Sequence, residues 1–243
     1  PYGWPSINSQ FGIVDMCGFP KDYFYYYKAW WGKEPSLHVF PHWNWHGREG
    51  DEIPVWVYSN AEEVELLING KSLGRQKVPR FGHVQWNVKY EPGAIEAHAY
   101  RAGRVILTEK REATGPAAAL RLTADRNEIN ADGEDIAILK VEALDSQGRL
   151  VPLADNLIAF TVTGPGNLIG VGNGDPNCLE SDKAPKRSLF NGLAQVIIQS
   201  AKNPGAIHIE AANHGEPSLA SATLLITAKP AELRPSVPVP RES

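Results

Sequence analysis

Alternation of apolar and polar side chains, with a period of two residues, constrains this 243-residue chain more than any other feature. Between residues 36 and 112 the alternation recurs in short runs such as IPVWVYS and VELLI, separated by turn-forming residues. Because successive side chains of a strand point to opposite faces of a sheet, these runs predict strands with one buried face. Asn69-Gly70 predicts a type I′ hairpin, since that turn needs positive φ at both central residues. Roughly five to seven such strands indicate a β-sandwich.

A second set of strand-like runs follows Thr114-Gly115-Pro116, which we interpret as a linker. The runs include DIAILKVEALD, LAQVIIQS and ASATLLIT, and the turns between them include DSQGR, GPGN and NPG. One face of these strands is mainly aliphatic, so they predict a second sandwich with an aliphatic core. The last 15 residues hold four prolines and are expected to be extended and loosely held.

Charge and composition exclude several function classes. The formal net charge is −4 and no basic stripe is present, so a nucleic-acid partner is not predicted. The longest apolar runs are of strand length, so no segment is predicted to cross a membrane. Cys17 and Cys178 are far apart in different predicted units, and we expect two separate free thiols.

The stretch FPKDYFYYYKAWW, residues 19–31, carries eight aromatic rings, and residues 1–58 hold 16 of the 22 in the chain. Pro20 suits the first turn of a helix. From there Tyr23, Tyr26, Tyr27 and Trp30 follow the spacing of one helix face. Phe24 and Trp31 widen that face, and Gly32 ends the pattern. A strand end precedes this helix, but a single β/α unit cannot form a sheet. We therefore expect the partner of the aromatic face to be missing from this chain, which would begin in the middle of a fold.

Two groups of residues raise the question of a metal site. His38, His42 and His46 are spaced by four, which would align three zinc ligands on a helix, but Pro41 and the extended pattern argue against a helix. Crowded oxygen ligands suit calcium, although a polar loop is the favoured interpretation. The residues of that second group are Asn173, Asp175, Glu180 and Asp182.

Trp43 and Trp45 in PHWNWHG are predicted to share one side of an extended segment. Paired indoles can form a platform for sugar rings, but they more often seal an interface between units, and we favour the interface. No carboxylate pair stands out as a glycosidase couple, and neither GxSxG nor GxGxxG is present. The sequence itself therefore predicts no active site and no cofactor.

Several long segments resemble the C-terminal part of bacterial β-galactosidases of glycoside hydrolase family two. They are WPSINSQFGIVDMCGFPKDYFYYYKAWW, LHVFPHWNW, VWVYSNAEEVELLINGKSLG and YEPGAIEAHAYRAG. The later run LRLTADRNEINADGEDIAILKVEALDSQGRLVP, with GNLIGVGNGDP, resembles the final immunoglobulin-like domain of the same enzymes. The resemblance extends over about residues 1–227.

The resemblance implies a mainly β fold, in which two tandem immunoglobulin-like β-sandwiches follow a short loop–helix remnant of a (β/α)8 barrel. Residues 1–35 would be the C-terminal end of the catalytic barrel. Residues 36–113 and 114–228 would be the two sandwiches, and residues 229–243 a Pro-rich flexible tail. The aromatic helix would then dock onto the barrel.

The resemblance also implies an activity for the full-length protein, the retaining hydrolysis of terminal β-galactosides by two glutamates. Both glutamates lie on barrel strands that precede the position of Pro1, so no catalytic residue is expected in this chain, and alone it should be inactive. The implied partners are the catalytic barrel of the same protein, its glycan substrate and further copies in a homo-oligomer. Family habit favours a periplasmic or secreted location.

The segment INSQFG resembles the loop after the eighth barrel strand. In related β-glucuronidases an Asn-x-Lys motif before the glycine reads the substrate carboxylate, whereas Ser9, Gln10 and Phe11 stand here. The lack of a cation favours a neutral galactoside. The candidate substrate-binding residues are Trp4, Asn8, Ser9 and Phe11, although Phe11 could instead only pack under the barrel.

Two other functions remain open at this stage. The first is a stand-alone carbohydrate-binding or adhesion module of two immunoglobulin-like domains, which would have no use for an aromatic helix. The second is a metal-dependent spacer, for which the GNGDPN loop gives little support.

Overall fold

The computed structural model describes residues 11–215 and 219–233. The chain divides into two compact units, of which the first holds the residues up to Gly115 together with Gly174–Asn177. The second holds Pro116–Asn173 and the residues from Cys178 onward. Both units are built from paired sheets, which confirms the predicted mainly β fold and is consistent with immunoglobulin-like domains.

In the residues that the structure describes, the first unit combines one helix with two antiparallel sheets. The three-stranded sheet has the order β1-β2-β5 and the four-stranded sheet the order β4-β3-β6-β7. Among the described residues, no helix is long and apolar enough to cross a membrane. The elements are α1 (Asp22–Trp31), β1 (Leu37–Phe40), β2 (Glu52–Ser59), β3 (Glu63–Ile68), β4 (Lys71–Lys77), β5 (Val84–Lys89), β6 (Ala94–Arg101) and β7 (Arg104–Glu112).

The core of the first unit lies between its two sheets, where the alternate residues of each strand meet. Val55 and Val57 of β2 belong to the same buried cluster as Leu66 of β3 and Ile95 of β6, and all four are fully buried. Full burial of such a side chain contributes about 1.5–3 kcal/mol. The alternation read from the sequence is therefore what pairs the sheets.

The predicted hairpin at Asn69-Gly70 is present between β3 and β4. The two residues have φ values of 47° and 81°, as a type I′ turn requires. The Asn69 side chain also accepts a hydrogen bond from the Ala94 N–H at 2.8 Å. The turn is thereby fixed to the start of the neighbouring strand β6.

The second unit has a four-stranded sheet of order β12-β14-β10-β8 and a five-stranded sheet of order β13-β11-β15-β16-β9. Strand β9 runs parallel to β16, while the other pairings in the unit are antiparallel. The elements are β8 (Ala119–Ala124), β9 (Glu128–Asn130), β10 (Ile136–Leu144), β11 (Leu157–Thr163), β12 (Gly166–Gly172), β13 (Lys186–Ser188), β14 (Leu193–Ser200), β15 (Gly205–Asn213) and β16 (Ala222–Lys229).

The second core is aliphatic. Leu139 and Val141 of β10 share a buried cluster with Ile207 and Ile209 of β15, and Phe160 is the aromatic ring of that cluster. One predicted boundary needs correction, because Lys229 pairs with Asn130 as the last residue of β16. The residues expected to form a loose tail therefore begin after Lys229.

Replacement of Gly70 by Ala should destabilise the first unit by about 1 kcal/mol, because a side chain is disfavoured at positive φ. The effect would come from the backbone alone, since an added Cβ at Gly70 meets nothing within 4 Å. Urea unfolding of the variant would measure it. Gly170→Ala is the control, because its φ lies outside the left-handed region and its nearest neighbour would be 3.6 Å away. Equal losses in both variants would contradict the prediction.

Candidate functional site

The predicted pocket residues fall at the start of the chain. Trp4, Asn8 and Ser9 lie outside the described residues, whereas Phe11 is described and is 83% exposed. The segment that follows Phe11 is a tight loop, in which Asp15 accepts hydrogen bonds from the N–H groups of Cys17 and Phe19 at 2.8 and 2.9 Å. The structure therefore places one of the four candidates, on the exposed surface of an ordered loop.

Helix α1 begins at Asp22 and ends at Trp31, close to the predicted bounds. The Gly32 N–H donates to the carbonyl oxygen of Lys28 at 3.0 Å. A Cβ at Gly32 would lie 2.4 Å from that same oxygen, so the close approach requires glycine.

One face of α1 packs on the sheet β1-β2-β5 of the first unit. The ring of Tyr25 stacks on the His38 imidazole with 3.8 Å between centroids and an angle of 8°. Tyr26 donates from its hydroxyl to the Phe81 carbonyl oxygen at 2.7 Å. These contacts supply a partner for the helix within the chain itself.

The predicted docking face therefore needs correction. Tyr26 and Trp30 were expected to meet a partner outside the chain, but both bond to the loop before β5, Trp30 through its indole N–H to the Gly82 carbonyl oxygen at 3.3 Å. Tyr23 also lies near the sheet, with its ring centroid 6.2 Å from that of Tyr58. The spacing rule predicted the helix correctly, but it did not predict which side of the helix faces the sheet. The reason is that aromatic rings lie on every side of this helix.

The opposite side of α1 carries a second set of rings, Phe24, Tyr27 and Trp31, which we call the outer aromatic face. Their positions follow i, i+3 and i+7 on the helix. Trp31 is 79% exposed, and its ring centroid lies 4.5 Å from that of Tyr27. Phe11 and Met16, in the loop before the helix, are exposed as well. Large apolar side chains are thus concentrated on the surface of residues 11–31.

A charge cluster around the buried His38 holds the N-terminus of α1. His38, only 4% exposed, places its Nε2 atom 2.9 Å from Asp22 Oδ1 and its Nδ1 atom 3.6 Å from Glu109 Oε1. Arg111 pairs with Glu109 at 2.5 Å and lies 3.3 Å from Nδ1 of His38. Two carboxylates and one guanidinium surround the imidazole, so the cluster is electrically neutral only when His38 is protonated.

Burial lowers the pKa of His38, but the hydrogen bonds to Asp22 and Glu109 and the charge of Glu109 outweigh burial and the opposing charge of Arg111. The resulting pKa is raised above the ordinary histidine value. Nearby, burial and the charges of Tyr23, Asp22 and Tyr26 raise the pKa of Tyr58 to about 12, so its hydroxyl stays protonated.

The prediction that Trp43 and Trp45 share one side of an extended segment is wrong. Trp43 is 1% exposed within the first core, where its indole N–H donates to the Glu91 carbonyl oxygen at 3.0 Å. Trp45 stacks instead on His42 at the edge of the unit, with 4.8 Å between ring centroids. The segment bends at Pro41 and continues as turns, so the parity of an extended strand does not apply to it.

The acidic residues of the calcium hypothesis have other partners. Asp182 forms a short ion pair with Arg187, which is 2% exposed in the second unit, and Glu180 lies 3.9 Å from the same guanidinium. Asp175 accepts the Asn177 N–H at 2.9 Å. Throughout residues 11–215 and 219–233, no three His, Cys, Asp or Glu side chains are grouped as metal ligands would be. Neither Cys17 nor Cys178 takes part in a disulfide bond within the described residues.

Comparison with known families assigns both units. Residues 120–223 match the profile "Glycoside hydrolase family 2 C-terminal domain 5", and residues 50–107 match "Domain of unknown function (DUF4982)". The chain is part of the C-terminal region of a glycoside hydrolase family two protein. This assignment confirms the resemblance seen in the sequence.

Relatives in glycoside hydrolase family two include both galactosidases and glucuronidases. The β-galactosidase BoGH2A of Bacteroides ovatus is 46% identical over 94% of this chain, and a putative β-glucuronidase of Formosa agariphila is 35% identical over 88%. A crystal structure of a β-glycosidase from Bacteroides vulgatus aligns with a TM-score of 0.88 and 31% identity over 93% of the chain. The chain spans 27%, 21% and 29% of these proteins, respectively, about a quarter of their length.

The raised pKa of His38 makes the attachment of α1 dependent on pH. A raised folded-state pKa means that this stabilisation is fully present below the unfolded histidine value, and is lost as the pH rises through the folded-state pKa. Asp22→Asn should lower the pKa of His38, which NMR titration of its imidazole would measure.

Glu34→Gln is the matched control, because Glu34 is an exposed carboxylate just after the same helix. Amide exchange in α1 should accelerate at lower pH in Asp22→Asn than in the unaltered chain. An unchanged His38 titration in Asp22→Asn would contradict the role given to Asp22.

Proposed function

We propose that this chain is the non-catalytic C-terminal portion of a retaining β-galactosidase, in which two sandwiches brace a catalytic barrel and shape its entrance or its oligomer contacts. One observation carries the proposal: the Bacteroides ovatus β-galactosidase matches 94% of this chain, whereas the chain spans only 27% of that protein. The proposed boundaries are residues 1–35 for the end of the barrel, 36–113 and 114–229 for the sandwiches, and 230–243 for the tail.

The outer aromatic face gives the proposal a physical contact. The inner side of α1 is occupied by the sheet of the first unit, while Trp31 remains exposed, as do Phe11 and Met16 in the loop before the helix. Isolated soluble domains rarely expose adjoining large apolar side chains without a partner. The partner in this proposal is the catalytic barrel of the same polypeptide, so that α1 lies between barrel and sandwich.

A neutral sugar is the favoured substrate of that barrel. Related glucuronidases carry an Asn-x-Lys motif where this chain has Ser9, Gln10 and Phe11. None of these three side chains can offer a cation to a substrate carboxylate. The higher identity to the galactosidase, 46% against 35% for the putative glucuronidase, points the same way. Trp4, Asn8, Ser9 and Phe11 are retained as the proposed edge of the sugar pocket.

The 243-residue chain alone should not hydrolyse a chromogenic β-galactoside, because in this proposal both catalytic glutamates lie in another part of the polypeptide. A longer protein that joins this chain to its barrel should hydrolyse it, and a chromogenic β-glucuronide much more slowly. The released chromophore measures both rates. Turnover by the purified chain, unchanged after a further purification step, would overturn the non-catalytic role.

Within that longer protein, the double substitution Tyr27→Ser and Trp31→Ser should lower the unfolding temperature and the hydrolytic rate together, because it removes apolar contact between α1 and the barrel. The control is Leu179→Ser, which removes an exposed apolar side chain from the second unit. Differential scanning calorimetry and the chromogenic assay measure the two effects. If both proteins behave like the unaltered one, the outer aromatic face does not meet the barrel.

A further inference from the structure

The five-stranded sheet of the second unit bears an open groove on its solvent-facing side, with a volume of about 490 Å³. This volume falls within the range of about 300–1,000 Å³ that is usual for small-molecule sites. Three adjacent strands, β11, β15 and β16, form its floor. The outward side chains that line it are Thr161, Thr163, His208, Glu210, Thr223 and Leu225.

The strand register arranges these side chains in two rows. Thr161 lies opposite Glu210, which lies opposite Thr223, and the second row runs from Thr163 through His208 to Leu225. Since neighbouring strands are about 4.8 Å apart and alternate residues about 7 Å, the two rows cover about 10 by 7 Å. A footprint of this size matches one or two sugar rings.

The polar side chains of the groove differ from most charged groups in the unit because they are unpaired. None of the five polar side chains forms a hydrogen bond or an ion pair with any part of the chain that the structure describes. By contrast, Glu142 is bound by Arg121 and Lys140 on the opposite sheet. The groove thus presents three hydroxyls, one imidazole and one carboxylate that are available to a ligand.

The chemistry of the lining selects among ligand classes. No Lys or Arg lines the groove, and Glu210 repels anions, so phosphates and acidic sugars are disfavoured. One carboxylate and one imidazole are too few to hold a metal ion. Hydroxyls that both donate and accept suit a ligand that is itself rich in hydroxyls. The half-exposed Leu225 and the threonine methyl groups add apolar contact for the C–H groups of a sugar ring.

We propose that this groove, which we call the β11-β15-β16 groove, binds a short segment of a neutral oligosaccharide. Glu210 accepts hydrogen bonds from sugar hydroxyls, His208 accepts or donates them, and the threonines complete the contacts along both rows. The choice of a galactose-containing ligand rests on the proposed function, whereas the preference for a neutral, hydroxyl-rich ligand rests on the groove itself.

The test is an NMR titration of the 243-residue chain with β-1,4-linked galactotetraose. Saturable shifts confined to amides of β11, β15 and β16, with a dissociation constant in the millimolar range, are the expected result. Galacturonic acid oligomers of equal length should bind at least several-fold more weakly, because each carries carboxylates that face Glu210.

Two variants identify the groups that bind. Glu210→Ala should weaken galactotetraose binding by about tenfold, because it removes the charged acceptor. Thr161→Val with Thr163→Val should weaken it at least as much, because the double variant removes two hydroxyls. Val keeps the β-branched shape of Thr, so the strand should fold as before. Asp155→Asn, a change at an exposed carboxylate outside the groove, should leave the affinity unchanged.

Several results would overturn the proposal. The absence of saturable shifts at millimolar sugar, equal affinity for the acidic oligomer, or unaltered affinity in both groove variants would each do so. Concentration-dependent shifts without sugar, abolished by the threonine double variant, would show that the groove joins two copies of the chain instead. Hydrolysis is not measured, so a negative result here is independent of the chromogenic assays.

Discussion

Burial of every second side chain between two sheets is the interaction on which both units depend. In the first unit Val57 and Leu66 have no exposed surface, and in the second unit Leu139 and Ile207 are equally buried. Each such residue removes apolar area from water only because a second sheet covers it. The side chains that face outward do not have to fill a core. Two features that we connect with function lie on these outward faces: the support for α1 and the β11-β15-β16 groove.

Helix α1 is held differently from the strands, by aromatic stacking and by charge. The Tyr25 ring stacks on the His38 imidazole, while Asp22 and Glu109 raise the pKa of that imidazole and so favour its protonated form. A buried charge without these carboxylates would be costly, so the helix and β7 each supply one of them. The inner side of the helix is thereby committed to the sandwich, which leaves the outer aromatic face for another partner.

The sequence predicted those features that depend on local periodicity. The strands, the Asn69-Gly70 hairpin, the helix after Pro20 and the aliphatic second set of strands follow from spacing and turn chemistry. The family resemblance located the chain within glycoside hydrolase family two, as the comparisons confirm. The predicted pocket edge remains a prediction, since Trp4, Asn8 and Ser9 lie outside the described residues and Phe11 is seen only as an exposed ring.

Features that depend on contacts between distant parts of the chain could not be predicted from the local spacing of residues. The charge cluster joins Asp22, His38 and Glu109, which are far apart in the sequence. No sequence motif therefore predicts the cluster. The direction of the rings on α1 was mistaken because a helix with aromatic residues on all sides has no single apolar face to read. Trp43 enters the core because the chain turns after Pro41, where the parity rule for strands no longer holds. The groove required the register of three strands, which sequence patterns do not specify.

The parallel pairing of β9 with β16 sets an order of events during synthesis. Every strand of the first unit's sheets precedes residue 113, so these sheets are complete while the second unit is still emerging from the ribosome. Glu128 pairs with Thr227, which is synthesised 99 residues later. At usual translation speeds this interval lasts roughly 5 to 20 seconds. During that interval β9 has no strand partner, but with only three residues it is too short to pair stably with a strand of a neighbouring nascent chain.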